Sequence, residues 1–273
     1  MAEAQKNITV ADLSTACPNT WCPGCGNFGI EIAVKKAFGE LINEEKIKRE
    51  NLTVVTGIGC HGKIADYLNV NSFYSLHGRS IAPATGIKIA RPELSVVAMA
   101  GDGDAYGEGL DHLVFAAKRN INLTVIIHDN RVYALTTGQV SPTSPKNFKG
   151  KSTPDGSLDK PINPLELMII AGATFVARAF AGDAEFLREI IKEAVTHQGF
   201  AFVEVLQPCF TFFNTYEYYR GGVYHLENHN PADKSAALEK AREWDYSDSA
   251  APKIPLGIFY QVEQPTFDRL MRE

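Results

Sequence analysis

Short apolar runs alternate along most of the chain with segments whose apolar residues recur at helical spacing. Because these runs are continuous, each is interpreted as a strand buried on both faces, which is typical of a parallel sheet covered by helices. The predicted strands are residues 52–56, 72–76, 94–100, 123–128, 173–178 and 200–206. The predicted helices are residues 29–42, 107–119, 164–171 and 185–197. This order of elements predicts an α/β fold with a parallel sheet.

Two segments depart from this alternation. Residues 136–163 are rich in Ser, Thr, Pro, Lys and Gly, and a loop this long in a compact chain is more often functional than idle. Beyond Cys209 the sequence becomes aromatic and polar, with one predicted helix near residues 232–244. We therefore expect one α/β domain at residues 1–209 and a C-terminal extension at residues 210–273, which packs on the domain or on a partner subunit.

Composition and charge narrow the class of protein. The chain has 273 residues, of which 45% are hydrophobic and 22% charged, as in an ordinary soluble globular protein. Its 27 Lys and Arg against 32 Asp and Glu leave a net charge of −5, so nucleic acid is not an expected partner. No apolar run approaches the ~20 residues that span a bilayer, and the first residues lack the apolar segment of a secretory signal. We expect a cytoplasmic protein with no membrane partner.

Polar and glycine-rich segments follow five of the predicted strands, at residues 57–62, 77–79, 101–104, 129–130 and 207–209. In an open parallel sheet, ligands bind beyond the carboxyl ends of the strands. The carboxyl edge of the sheet is therefore where we expect the functional site to lie.

One of these segments, residues 57–62, matches the G-x-G-x-x-G pattern that follows a strand in dinucleotide-binding folds. That fingerprint also requires a proper helix and an acidic residue about 20 positions later to bind the ribose. Here the following helix is predicted to be very short, and position 77 is His. A nicotinamide-dinucleotide site is therefore rejected.

The segment GDGD at residues 101–104 is typical of a site for a hard cation and a phosphate. Asp102 can bind the cation, while Gly101 and Gly103 let the backbone approach a phosphate closely. Asn130, at the end of the next strand, would supply a neutral oxygen to the same cation. The alternative that these residues leave open is a glycine turn with an N-capping aspartate.

Four of the five cysteines are placed where they could bind a metal together. Cys22 and Cys25 have C-x-x-C spacing before a predicted helix, whereas Cys60 and Cys209 follow strands at the proposed edge. Such a set can hold Zn²⁺ or a [4Fe–4S] cluster, and spacing alone does not decide between them. Cys17 is expected to be a plain thiol outside this set.

Several longer motifs together resemble the β subunit of 2-oxoacid:ferredoxin oxidoreductases, most closely its 2-oxoglutarate-using branch. They are WCPGCGN at 21–27, GIGCHGK at 57–63, LHGRSIAPATGIK at 76–88, GDGD at 101–104, ALTTGQVSPTS at 134–144 and VEVLQPC at 203–209. The resemblance runs in order over residues 17–224. It implies a PP-type domain that binds thiamine diphosphate, Mg²⁺ and one [4Fe–4S] cluster.

The resemblance also implies roles for particular residues. The implied Mg²⁺ ligands are Asp102, Asn130 and the backbone oxygen of Val132, and the implied cluster ligands are Cys22, Cys25, Cys60 and Cys209. The implied cofactor-binding residues are Ile58, Gly59, Cys60, His61, His77, Gly101, Gly103, Asp104, Ala134 and Leu135. The implied substrate residues are Lys63 and Leu135, with Lys63 attracting the carboxylate of a 2-oxoacid.

The implied reaction is the coenzyme A-dependent oxidative decarboxylation of a 2-oxoacid, or its reversal, with electrons passing through the cluster to ferredoxin. The expected substrate pair is 2-oxoglutarate and succinyl-CoA. No catalytic residue is assigned in this chain, because no glutamate in the motifs suits activation of the pyrimidine ring. The resemblance implies that an α (or α–γ) subunit supplies it, in a dimer of αβ units.

Three alternatives stay open at this point. The chain could be the β subunit of a pyruvate:ferredoxin oxidoreductase, or part of a non-oxidative thiamine-dependent decarboxylase with zinc or no metal at the cysteines. It could also be a zinc-stapled scaffold without chemistry, although a scaffold would not need both Asp102 and Asn130 as cation ligands.

Overall fold

An eight-stranded, mostly parallel sheet forms the centre of the protein in a computed structural model that describes residues 7–247 and 252–273. Its strands are β1 (Leu52–Thr56), β2 (Asn71–Tyr74), β3 (Ser95–Gly101), β4 (Leu123–Asp129), β7 (Phe175–Phe180), β8 (Phe200–Leu206), β9 (Val223–His225) and β10 (Ile254–Gln261). The strand order is β2-β1-β3-β4-β8-β7-β10-β9. Two further strands, β5 (Val132–Tyr133) and β6 (Gln139–Val140), form a separate antiparallel pair.

The six strands predicted from the sequence are all present, and four of them, β1, β4, β7 and β8, are buried along their whole length. Burial on both faces explains why their sequences are continuously apolar. Strand β2 is instead an exposed edge, and it ends two residues before the predicted strand. Strand β7 begins two residues later than predicted, at Phe175.

Helices cover both faces of the sheet. They are α1 (Asn27–Asn43), α2 (Ile64–Tyr67), α3 (Ile81–Ala90), α4 (Leu110–Lys118), α5 (Pro164–Ala171), α6 (Ala184–Thr196), α7 (Tyr216–Gly222), α8 (Lys234–Ala241) and α9 (Phe267–Leu270). Helices α1 and α6 share one core layer with Val97 and Met99 of β3. Helices α3, α4, α5 and α8 share the other with Val96 and Ala98. No helix of the described residues is long and apolar enough to cross a membrane.

The C-terminal extension adds two strands to the sheet, which the sequence interpretation missed. Strand β10 pairs antiparallel with β7, and β9 pairs parallel with β10, so the sheet is not purely parallel. The missed strand contains Pro255 and Gly257 and is irregular between Ile258 and Tyr260. Proline and glycine weaken the strand signal of a sequence. The helix predicted near residues 232–244 is present as α8, whereas the two strands and helices α7 and α9 were not predicted.

The extension contacts a buried ion pair between two strands of the sheet. Nε of Arg178 in β7 lies 2.7 Å from Oε2 of Glu204 in β8, and both side chains are inaccessible to solvent. Tyr246 of the extension donates its hydroxyl hydrogen bond to Glu204, and the Trp244 ring lies against Arg178 at 5.0 Å. Burial alone would lower the pKa of Arg178, but Tyr246 and Glu204 raise it, so the guanidinium stays charged. Breaking one partner of such a pair is strongly destabilising, which ties the extension to the domain.

Candidate active site at the carboxyl edge of the sheet

Two adjoining cavities open beyond the carboxyl ends of β1, β3 and β4. The first has a volume of about 80 Å³. Its lining residues are Ile58, Gly59, Cys60, His61, His77, Gly101, Asp102, Gly103, Asp104, Asn130, Val132, Tyr133, Ala134, Leu135 and Thr136. Every residue predicted from the sequence to bind the cofactor or Mg²⁺ is in this set, together with Tyr133 and Thr136, which were not singled out. The structure brings the predicted residues together, and their roles as ligands remain predictions.

Two glycines allow this cavity to form, because a side chain at either position would collide with a lining residue. A Cβ atom at Gly57 would lie 1.8 Å from Oδ2 of Asp104, and one at Gly103 would lie 2.3 Å from the Tyr133 ring. The Tyr133 hydroxyl in turn donates to the backbone oxygen of Gly103 at 3.1 Å. The glycine-rich pattern in the sequence is thus explained by close packing around two polar side chains.

Asp104 organises the wall of the first cavity. Its Oδ1 accepts a hydrogen bond from the amide of Gly78 at 2.6 Å and a long one, 3.5 Å, from the amide of Ile58. The imidazoles of His61 and His77 lie 3.3 and 3.6 Å from its two oxygens. Backbone amides therefore hold Oδ1 of Asp104, while Oδ2 has no hydrogen-bond partner among the described residues, and two imidazoles that line the cavity lie close to the carboxylate.

Asp102 differs because no positively charged side chain of the described residues is within ion-pair distance of its carboxylate. It is 2% exposed, and its Oδ2 accepts a hydrogen bond from the Thr143 hydroxyl at 3.1 Å. Burial raises the pKa of Asp102 to about 6, against the opposing effect of hydrogen bonds from Ser141 and Thr143. A buried carboxylate is costly unless a cation or several donors compensate it. This position therefore suits a cation ligand.

The chain reverses after β4 so that Asn130 and Val132 both line the same cavity. Oδ1 of Asn130 accepts a hydrogen bond from the amide of Val132 at 3.0 Å, and the intervening Arg131 has a left-handed φ of 62°. One carboxylate, one amide oxygen and one backbone oxygen are the hard donors that Mg²⁺ prefers, with phosphate oxygens or water completing the octahedron. Among the described residues, no three His, Cys, Asp or Glu side chains could hold a metal ion by themselves.

The long polar loop packs over this edge. Thr143 is fully buried, and its hydroxyl lies between Asp102 and Asp129, 2.8 Å from Oδ1 of the latter. The loop is held by Nε of Arg131, which donates to the backbone oxygen of Thr143 at 2.8 Å, and by Ser144, which donates to the backbone oxygen of Arg131. The contact of Thr143 with Asp102 was missed from the sequence, although the residue stands in the SPTS motif.

The second cavity has a volume of about 190 Å³ and contains the predicted cysteine site. Its lining residues are Thr20, Trp21, Cys22, Cys25, Cys60, Lys63, Asn130, Ala134, Leu135, Gln207, Cys209, Phe210, Thr211 and Phe212. It shares Cys60, Asn130, Ala134 and Leu135 with the first cavity. The four predicted thiols therefore lie directly beside the predicted cofactor cavity, whereas Cys17 is exposed and lines neither.

Backbone contacts gather the thiols from distant parts of the chain. The amide of Gly26, one residue after Cys25, donates to the backbone oxygen of Pro208 at 3.2 Å, next to Cys209. Nε1 of Trp21 donates to the backbone oxygen of Cys60 at 2.6 Å. These contacts fasten the C-x-x-C loop to the two strand ends.

Two of the four thiols are in an environment that disfavours their charge. Burial raises the pKa of the Cys25 thiol to about 11; a backbone hydrogen bond from Asn27 opposes this, and the neighbouring cysteines reinforce it. Burial also raises the pKa of Cys60, with Lys63 acting in the opposite direction. Binding of a metal deprotonates such thiols and compensates the buried charge. The type of donor therefore fits a thiolate metal centre, although among the described residues no three of these side chains are arranged to hold one metal ion.

The two predicted substrate residues lie at the second cavity. Lys63 lines it, and Nζ donates to the backbone oxygen of Thr20 at 3.4 Å, so the ammonium faces the thiols rather than the first cavity. Leu135 lines both cavities and is 51% exposed. Their roles toward a substrate remain predictions.

Comparison with protein families gives two consecutive matches. Residues 57–205 match the family described as thiamine pyrophosphate enzyme, C-terminal TPP binding domain. Residues 208–273 match the family described as the C-terminal part of the pyruvate ferredoxin oxidoreductase beta subunit. The first match contains the GDGD segment and Asn130, and the second contains Cys209.

Individual relatives agree with these matches. The chain is 43% identical over 265 residues to 2-oxoacid:ferredoxin oxidoreductase 1, subunit beta, of Aeropyrum pernix, covering 92% of this chain and 80% of the relative. It is 39% identical over 257 residues to the 2-oxoglutarate synthase subunit KorB of Methanocaldococcus jannaschii, covering 92% and 90%.

A solved structure is also similar. It is a 2-oxoglutarate:ferredoxin oxidoreductase from Magnetococcus marinus with 2-oxoglutarate, coenzyme A and succinyl-CoA bound. The TM-score is 0.91 at 39% sequence identity, over 98% of this chain and 89% of the other. With thiol and diphosphate motifs at one edge of a thiamine-enzyme fold, and with relatives of this identity and coverage, the chain belongs to the family of 2-oxoacid:ferredoxin oxidoreductase β subunits.

Proposed function

We propose that this chain is the β subunit of a 2-oxoglutarate:ferredoxin oxidoreductase, which converts 2-oxoglutarate and coenzyme A to succinyl-CoA and CO₂ or catalyses the reverse reaction. The observation that carries the proposal is the shared wall of the two cavities, formed by Cys60, Asn130, Ala134 and Leu135. An electron acceptor held by the thiols would lie next to a cofactor held in the first cavity. Oxidation coupled to decarboxylation requires such proximity.

Thiamine diphosphate, when bound, would supply the carbanion chemistry of the reaction. The residues of this chain would bind it through its diphosphate. Asp102, Asn130 and the backbone oxygen of Val132 would hold Mg²⁺, and the glycines on either side of Asp102 leave room for phosphate oxygens. Asp104 would keep His61 and His77 directed toward the same cavity.

We prefer a [4Fe–4S] cluster to zinc at the thiols, because relatives of this chain are named ferredoxin oxidoreductases. The four thiols line one cavity of about 190 Å³. A cluster of four irons and four sulfides is held by four such cysteine thiolates. It accepts one electron at a time, which suits ferredoxin as the next carrier.

A second polypeptide would complete the proposed enzyme. Among the described residues that line the two cavities there is no glutamate that could activate a pyrimidine ring. Leu76 and Leu135 near this edge are 75% and 51% exposed, which is typical of a surface that is buried in a larger assembly. We propose an α (or α–γ) subunit as this partner, in a dimer of αβ units.

The choice of 2-oxoglutarate rests on its second carboxylate. Burying that group without a cation would cost several kcal/mol. Lys63 is the one lysine or arginine among the described residues that line the two cavities, and it is half-buried. The names of several relatives and of the similar structure support the same substrate. The family name of residues 208–273 favours pyruvate as the second candidate.

The test uses the αβ complex, purified without oxygen and assayed with coenzyme A and ferredoxin. We expect kcat/KM to be higher for 2-oxoglutarate than for pyruvate. The Lys63→Ala substitution should lower kcat/KM for 2-oxoglutarate roughly tenfold, because one charged contact is lost. It should lower kcat/KM for pyruvate less. Lys46→Ala removes an exposed lysine that lines neither cavity and serves as the control. A wild-type preference for pyruvate would overturn the substrate, and failure of every 2-oxoacid to reduce ferredoxin would overturn the reaction.

A further inference from the structure

Gln207 is a buried side chain at the second cavity to which no role has been given so far. It is 1% exposed and follows β8, where its backbone amide donates to the backbone oxygen of Asp129 at 2.8 Å. Gly26 makes room for it, because a Cβ atom there would lie 3.0 Å from Cγ of Gln207. The side chain is thus held in one place between two segments that carry cysteines.

The amide of Gln207 points at a sulfur. Its Nε2 lies 3.5 Å from Sγ of Cys25 and 2.8 Å from the backbone oxygen of Pro208, while Oε1 has no hydrogen-bond partner among the described residues. Reversing the amide would place its oxygen against the carbonyl of Pro208, so the hydrogen-bond network fixes the orientation. One N–H donates to the carbonyl and the other to the thiol.

This contact is selective. It is the one hydrogen bond that a side chain of the described residues donates to any of the four sulfurs. The other donor to Cys25 is the backbone amide of Asn27. Replacing Gln207 would leave that backbone donor in place. The effect of the side chain can therefore be measured separately.

We propose that Gln207 donates an N–H···S hydrogen bond to the Cys25 ligand of the bound cluster and thereby raises the reduction potential of the cluster. The inference rests on the [4Fe–4S] cluster of the proposed function. Reduction adds one electron, and part of the added negative charge resides on the cysteine sulfurs. A donor in a buried, low-dielectric position stabilises that charge more than the charge of the oxidised state. Gln207 is thus a positioning and tuning residue rather than a ligand.

The first experiment needs no variant. The αβ complex is prepared without oxygen with ¹⁵N in the side-chain amide of glutamine, its cluster is reduced, and pulsed electron paramagnetic resonance is recorded in H₂O and in D₂O. We expect a ¹⁵N coupling and an exchangeable-proton coupling at the cluster. Absence of the ¹⁵N coupling in protein with a full complement of iron would overturn the inference.

The second experiment measures the midpoint potential. Gln207→Met keeps the length of the side chain and removes its donor, and Gln198→Met, at an exposed glutamine that lines neither cavity, is the control. We expect Gln207→Met to retain its iron and to have a more negative reduction potential of the cluster. The reduction equilibrium should change by up to tenfold, which corresponds to a shift of about 59 mV for a one-electron couple. The control should not shift.

The outcomes separate this inference from the proposed function. A fully loaded Gln207→Met protein with the wild-type potential would overturn the inference alone. Loss of the cluster in that variant would leave the decision to the ¹⁵N spectrum of the wild type. Wild-type protein that contains no iron would overturn the proposed cluster and this inference together.

Discussion

The two cavities share a wall but are built by different means. In the first, neutral donors of the protein contact the carboxylates: Asp104 accepts hydrogen bonds from two backbone amides, and Asp102 accepts one from Thr143. In the second, the four thiols have a single side-chain hydrogen bond among the described residues, from Gln207 to Cys25. Cys22 is exposed, whereas Cys209 is buried.

This difference separates a cavity whose walls are fixed by contacts within the protein from one whose thiols make few such contacts. Fixed donors and close-packed glycines set the shape of the first cavity before any ligand binds. In the second cavity burial raises the pKa of Cys25 to about 11 and also raises the pKa of Cys60, which Lys63 only partly opposes. A bound metal would compensate the charge of the thiolates. We therefore expect the two sites to fail independently when either is damaged.

The largest expected effect is at the thiols. Replacement of Cys22, Cys25, Cys60 or Cys209 by Ser in the αβ complex should abolish the brown colour and the content of about four irons and four sulfides, because serine is a poor ligand for the cluster. Iron and acid-labile sulfide analysis of protein purified without oxygen measures this. Cys17→Ser should keep the full content, since Cys17 lines neither cavity. If Cys209→Ser kept the wild-type absorption, Cys209 would be removed from the ligand set.

The next effect concerns the first cavity. Asp102→Ala should abolish retention of thiamine diphosphate while leaving the iron content unchanged, because Mg²⁺ would lose its one charged protein ligand. Asn130→Ala should weaken retention less, because it removes a neutral oxygen. Cofactor that remains with the protein after gel filtration is the measurement, and the exposed Asp111→Ala is the control. Full occupancy in Asp102→Ala would contradict the proposed Mg²⁺ site.

A smaller effect tests the close packing of the first cavity. In Gly57→Ala the new methyl group would lie 1.8 Å from Asp104, so the carboxylate must move away from the amides that hold it. We expect about 1–3 kcal/mol of destabilisation and weaker binding of thiamine diphosphate, with an unchanged iron content. Gly86→Ala in α3 has no atom within 4 Å of the added methyl, and alanine there should stabilise by up to about 1 kcal/mol. Thermal unfolding of both variants provides the comparison, and a neutral Gly57→Ala would show that the cavity wall is adaptable.

Much of the site was accessible from the sequence because parallel strands bring their carboxyl ends to one edge. The positions of Cys60, Asp102, Asn130 and Cys209 directly after apolar runs predicted that these residues would lie near one another, and they line the two adjoining cavities. The central strands were equally predictable, since strands buried on both faces are continuously apolar. The sequence by itself thus determined the central strands of the sheet, their carboxyl edge and the residues that meet there.

Other features depend on how distant segments pack, and no local pattern encodes them. Strand β10 has a weak sequence signal because of Pro255 and Gly257, and its place in the sheet follows from pairing with β7. The contact of Gln207 with Cys25 joins residues 182 positions apart, and that of Thr143 with Asp102 requires a buried loop to fold back over β3. Only the tertiary structure decided these contacts. A hydrogen bond depends on the distance and the orientation between two groups, and neither can be read from the sequence when the two groups are far apart along the chain.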